Sequence, residues 1–189
     1  MTSIVVTPPA GEPVTVADMR AHLRLTGPDE DAILTEFLVA ARHHVERSTR
    51  RALITQAWRL YLDAWSDGRI VKLPVAPVQS VDQITVFASD GIGQTLDAGD
   101  WTLERGGEPV RLRIKPGAGG PSTGLNGVEI DFTAGYGAAE SDVPASYRQA
   151  IRLLAAHWFE HREAGMDTAM ASLPHGLDRL LSTVRVPLL

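Results

Sequence analysis

Ala134-Gly135-Tyr136, Val143-Pro144 and the run Ala150-Ile151-Arg152-Leu153-Leu154-Ala155-Ala156-His157-Trp158-Phe159-Glu160-His161-Arg162 mark the return to helix near the C-terminal end of this 189-residue chain. Tyr147, Ala150, Ile151, Leu154, Ala155, Trp158 and Phe159 recur at i, i+3, i+4, i+7, i+8, i+11 and i+12, the spacing of a broad apolar helix face. Ser141 or Asp142 is expected to cap this helix, with Pro144 in its first turn. The same run spells H-x-x-E-H at His157, Glu160 and His161, a zinc-hydrolase signature. Packing element or metal helix is the choice that decides the function.

Helix is also expected near the start. Thr15 can cap a short helix carrying Val16, Met19 and Leu23, with Asp18 three residues on, and Thr26-Gly27-Pro28 ends it. Asp29, Glu30 and Asp31 put negative charge where a second helix begins. Ile33, Leu34, Phe37, Leu38, Ala41 and Val45 form its stripe. From Leu53 the period changes to two: Trp58-Leu60-Leu62, Ile84-Val86, Val110-Leu112-Ile114 and Val128-Ile130-Phe132 alternate between turn signals. This predicts a meander of short antiparallel strands with one side buried. Residues 116–121 read as a mobile surface hairpin, because their glycines lack the ending and the following helix of a phosphate-binding loop. A linker from Gly165 to Ser172 leads to a last helix with Leu177, Leu180, Leu181 and Val184. The expected fold is α+β in a single domain: N- and C-terminal helices (14–52 and 141–185) packed as a helical bundle, an inserted antiparallel β-sheet lobe (53–137), and a tail at 182–189.

Composition excludes several function classes. Hydrophobic content of 44% with 22% charged residues is that of a globular protein, and a formal charge of -5 does not support duplex DNA binding as a main function, leaving a local patch such as Arg47, Arg50 and Arg51 as a weaker reading. With no cysteine, disulfides and thiolate chemistry are absent. No stretch reaches the ~20 apolar residues of a membrane span, and the N-terminus has no signal-peptide pattern, so the chain is expected to be made in the cytoplasm.

The chemical motifs are thin. His157 and His161 share a helix face, but catalytic zinc takes a third protein ligand, and downstream there are only Glu163, Asp167, His175 and Asp178, in no ligand pattern. With Trp158 at the centre of the apolar stripe, both histidines fall at its margins, which a half-exposed helix flank explains. His43 and His44 point about 100° apart and cannot share an ion. The Asp29–Asp31 acids are explained by a helix start. Arg47, Arg50 and Arg51 either complement a helix C-terminus or meet an acidic or phosphate surface. No serine elbow or triad spacing occurs. Neither a catalytic residue nor a cofactor or metal site is assigned; a zinc-dependent hydrolase on the H-x-x-E-H helix is the alternative. The apolar end Val186-Pro187-Leu188-Leu189 needs either its own core or a neighbour to cover it.

Three blocks carry a family resemblance: Glu46-x-x-Thr49-x-Arg51-Ala52-Leu53-x-x-Gln56-x-Trp58, Leu73-Pro74-x-x-Pro77-Val78-x-Ser80-Val81-x-x-Ile84, and Ala134-Gly135-Tyr136 leading through Val143-Pro144 to Trp158 and Arg162. In this order they resemble the head–tail connector, or adaptor, proteins of long-tailed phages and of gene transfer agents, over Val16 to about Val184. The resemblance implies a structural virion protein without enzymatic activity or cofactor. It implies a ring, usually of twelve copies, beneath the portal protein, extending the DNA channel toward a stopper or tail-completion protein. DNA would pass without sequence-specific binding, and the mild negative charge is compatible with that passage. The family's last helix and tail commonly meet the portal, which makes Leu177, Leu181, Val184, Val186, Pro187, Leu188 and Leu189 portal-contact candidates. Arg47, Arg50 and Arg51 are candidates for a charged interface.

Overall fold

The computed structural model describes residues 1–121, 124–161, 176, 177 and 181. The chain forms two compact units, each discontinuous in sequence: Met1–Pro9 with Thr55–Gly135, and Ala10–Ile54 with the described residues from Tyr136 onward.

The first unit is built of strands and loops, with short 3-10 turns at Asp67–Arg69 and Ala98–Asp100. Its larger sheet has five antiparallel strands in the order β1 (Thr2–Thr7), β2 (Gln56–Leu62), β8 (Val128–Ala134), β4 (Val78–Phe87) and β5 (Gly93–Thr95). Its smaller sheet has three, β3 (Ile70–Lys72), β7 (Arg111–Ile114) and β6 (Trp101–Glu104). The alternation read from the sequence sets the faces. On β8, Val128, Ile130, Phe132 and Ala134 are buried, while Glu129, Asp131 and Thr133 between them are half-buried. Phe132 stands opposite Trp58 on one side and Val81 on the other, and it is wholly buried. On the other face Arg59 forks onto Asp131, with Nε–Oδ1 at 2.6 Å and Nη2–Oδ2 at 2.8 Å, and reaches Glu129 at 3.1 Å. The hydrogen bond to Asp131 outweighs desolvation and raises the Arg59 pKa above its ordinary value.

The second unit holds the helices among the described residues: α1 (Val16–Leu23), α2 (Asp31–Thr49) and α3 (Ala145–Glu160). Thr15 caps α1, its hydroxyl accepting the Asp18 N–H at 3.0 Å. One apolar cluster takes Met19 from α1, Leu34, Leu38, Ala41 and Val45 from α2, and Ile151, Leu154, Ala155 and Trp158 from α3. The rings of Phe37 and Trp158 pack in a tilted pair, centroids 6.3 Å apart. The apolar stripe of the opening run is therefore core.

The expected architecture needs correction. A helical bundle of N- and C-terminal helices with one inserted sheet lobe is not what is found. The described residues form a mixed α+β fold with three helices and two separate antiparallel sheets. Nor is the larger sheet a meander: β2 neighbours β8, and β8 neighbours β4. Its edge strand β1 comes from the N-terminal residues, outside the expected insert 53–137. The physical reason is that alternation along a strand reports which face is buried, while neighbour choice depends on contacts across more than sixty residues of chain, such as Trp58 with Phe132. Two local readings also change. Pro144 itself is the N-cap of α3, while Asp142 holds the preceding turn by accepting the Ala139 N–H at 2.9 Å. The 116–121 loop is pinned: Trp65 Nε1 donates to the Gly119 carbonyl at 2.9 Å, and Arg69 donates to the carbonyls of Ala118 and Gly119.

Candidate functional site

Glu46, on the last turns of α2, is the best-connected side chain of the first motif block. Its backbone carbonyl accepts the N–H of Arg50 and, at 3.2 Å, that of Arg51. One carboxylate oxygen takes Arg42 Nη1 at 2.9 Å, and the other takes the backbone N–H of Leu53 at 2.8 Å. Arg42 is buried, and its Nε donates to Glu12 at 2.8 Å. Burial pulls the Arg42 pKa down, but the hydrogen bond to Glu12 and the charges of both carboxylates outweigh it, so the value ends raised. Thr49 is fully buried and donates to the Val45 carbonyl at 2.7 Å. The block thus ends a helix and turns the chain through two glutamates and one arginine.

Of the charged candidates, Arg47 is exposed in the last turn of α2, and Arg50 and Arg51 are half-buried just beyond it. Arg50 is the helix C-cap in left-handed backbone, φ 58°. Glycine occupies that conformation at least cost, so arginine there carries a conformational penalty. The structure places Arg47 in the last turn of α2, Arg50 at its C-cap and Arg51 just beyond it.

The second and third blocks build two further junctions. In the first unit the Pro77 carbonyl accepts the Gly135 N–H at 2.9 Å, and the Gln79 amide donates to Thr55 Oγ1 at 2.9 Å and to the Gly135 carbonyl at 2.8 Å. Gly135 sits at φ 137°, a conformation that excludes most side chains. In the second unit the Tyr136 N–H donates to Leu53, and the Tyr136 and Tyr147 hydroxyls lie 3.3 Å apart. A Cβ on Gly137 would fall 2.1 Å from Asp142 Oδ2, so the close turn requires glycine.

Of the H-x-x-E-H residues, His157 is half-buried and His161 exposed. The rings of His157 and His161 lie 4.4 Å apart, tilted by 39°, and His161 Nδ1 lies 2.8 Å from the His157 carbonyl oxygen. Glu160 is exposed at the end of α3. Among the described residues no group of three metal-ligating side chains comes together. Glu163, Asp167, His175 and Asp178 lie outside the described residues. His43 is exposed and His44 half-buried. Asp31 bonds Arg20 at 3.2 Å. Leu177 and Leu181 are buried in the helical core cluster, whereas Val184, Val186, Pro187, Leu188 and Leu189 lie outside the described residues. Among the described residues no helix is long and apolar enough to cross a membrane.

Residues 13–95, which hold the first two blocks, match the model of the phage gp6-like head–tail connector proteins. The whole chain superposes on a protein in the neck of an empty gene transfer agent particle, computed with C6 symmetry: TM-score 0.82, 35% identity, 97% of that chain covered. The chain belongs to the phage gp6-like head–tail connector family. A second match, in the virion of a native gene transfer agent particle, has TM-score 0.81 and 36% identity over 97% of that chain. A third, in the neck of a native particle computed with C12 symmetry, has TM-score 0.78 and 34% identity. Curated protein sequences give no match. The solved relatives are components of a particle.

Sequence reasoning missed two features of this connector. One is the buried Arg42 between Glu12 and Glu46; its signal was an arginine lodged in the apolar stripe between Leu38 and Val45. The other is the strand β1, whose signal was the β-branched run Ile4-Val5-Val6 before Pro8-Pro9.

Proposed function

We propose that this chain is a structural head–tail adaptor of a phage-like particle, of the gene transfer agent type, placed at the neck between capsid and tail. Copies form a ring, twelvefold when assembled, beneath the portal protein. The ring extends the DNA channel and receives the stopper or tail-completion protein, and DNA passes through without sequence-specific binding. The observation that carries this reading is the end-to-end match to neck proteins of gene transfer agent particles, at 35% identity with 97% of the relative covered. The C12 symmetry of one such neck supports the ring.

The portal contact falls to the apolar tail, Val184, Val186, Pro187, Leu188 and Leu189, since Leu177 and Leu181 face the chain's own core. Arg47, Arg50 and Arg51 form a charged contact with a neighbouring neck surface; their clustering at the end of one helix supports that role. Electron microscopy of the chain mixed with its cognate portal tests the reading. A second ring under the portal is expected, and it should be lost when residues 182–189 are removed. A portal that stays bare with the full chain refutes it.

A further inference from the structure

Strand β1 ends the five-stranded sheet and, among the described residues, pairs only with β2. Along its six residues, Thr2-Ser3-Ile4-Val5-Val6-Thr7, there is no charge. Its aliphatic side chains are in water on both faces: Ile4 is 44% exposed, Val5 42% and Val6 51%. Alternate residues of an edge strand also turn their N–H and C=O groups outward, a template for another chain. Natural edges are blunted by lysine, by inward charges or by cover. Here the register shift between Val5 and Thr7, followed by Pro8-Pro9, closes only the far end. The stretch from Thr2 to Val5 stays open and uncharged.

We propose that β1 is a contact between copies in the assembled ring: it docks, by strand pairing and by burial of Ile4, Val5 and Val6, on a different surface of the next copy. This rests on the ring reading given above. Symmetry selects the occupant and the geometry. A ring needs a head-to-tail contact, in which one patch meets a different patch on the neighbour. If β1 met β1 the contact would be two-fold and would close after two copies, which is not the arrangement of a neck with C12 symmetry. An uncharged strand can be buried on a neighbour without leaving a charge desolvated and unpaired. Strand addition supplies main-chain hydrogen bonds, and the aliphatic pair on one face with the third on the other supplies apolar area.

The chain has no cysteine, so Val6→Cys provides a single attachment point. The purified variant is labelled with benzophenone maleimide, assembled on the cognate portal, checked for the ring by electron microscopy, and irradiated. The expected product is a covalent pair of two copies, joined from position 6 to residues outside Thr2–Thr7 of the second. A ring whose label reaches the portal, another neck protein, or strand β1 itself, or reaches nothing, overturns the inference while the adaptor reading stands. Absence of any ring with the unlabelled parent chain overturns both. A second variant, Val5→Lys, keeps a side chain that open edges tolerate. It should melt like the parent as an isolated chain yet need roughly ten-fold more protein to fill the ring. Equal filling by parent and variant overturns the inference.

Discussion

Replacing Glu46 tests how much of the second unit hangs on one carboxylate. Glu46 serves two partners that are otherwise poorly hydrated: the buried Arg42 guanidinium at 2.9 Å and the Leu53 N–H at 2.8 Å. Leu53 is itself fully buried. Glu46→Gln keeps an oxygen for the Leu53 N–H but removes the charge facing Arg42. Removing one partner of a buried pair costs about 3–5 kcal/mol when the other charge is left alone. Arg42 keeps Glu12 at 2.8 Å, so about 1–2 kcal/mol is expected for the glutamine variant. Glu46→Ala also orphans the Leu53 amide, which adds about 1–3 kcal/mol. The alanine variant should therefore lose about 2–5 kcal/mol in urea unfolding, read by circular dichroism and tryptophan fluorescence together. At about 2–4 °C per kcal/mol for a chain of this size, its Tm falls by roughly 4–20 °C. Because Arg42 and Glu46 touch, Arg42→Met combined with Glu46→Gln should cost clearly less than the sum of the single changes. An alanine variant within about 1 kcal/mol of the parent, or strictly additive single and double changes, would refute the reasoning.

Four further outcomes follow from the geometry. Gly137→Ala forces a Cβ onto Asp142 and dislodges the acceptor of the Ala139 N–H, so about 1–3 kcal/mol should be lost in chemical denaturation; no loss would contradict the close turn. Phe132→Ala empties the centre of the larger sheet and should cost about 3–5 kcal/mol by the same measurement, or leave the chain unfolded. Arg50→Gly relieves the left-handed backbone and should raise stability by about 0.5–1 kcal/mol while weakening assembly on the portal. A variant both more stable and equally competent in assembly would remove Arg50 from the interface. Metal analysis of the purified chain should give the same trace zinc for the parent and for His161→Ala; stoichiometric zinc lost on that substitution would reopen a hydrolase reading.

The elements were legible where local chemistry fixes them. Thr15 before an apolar-periodic run gave the start of α1, and period-two alternation gave β2, β7 and β8 their buried faces. The edge strand β1 and the two-sheet division were not legible. Ile4-Val5-Val6 is too short a run to declare its partner, and which strand lies beside which depends on pairings such as Trp58 with Phe132, set by the whole sheet. At the candidate interface the three arginines could be named in sequence, but not the left-handed backbone at Arg50 nor the Glu12–Arg42–Glu46 group, because Glu12 is thirty residues away from Arg42.

By itself the sequence determined that the H-x-x-E-H helix carries a wide apolar stripe, that strands alternate, and that three motif blocks resemble a connector. Helical and strand periods are properties of neighbouring residues, so they survive without tertiary information. Only the tertiary structure decided that Leu177 and Leu181 are core, that the His157 and His161 rings lie 4.4 Å apart, and that an uncharged strand is left open at the sheet edge. Burial and unpaired edges are properties of the folded surface, and no local pattern contains them.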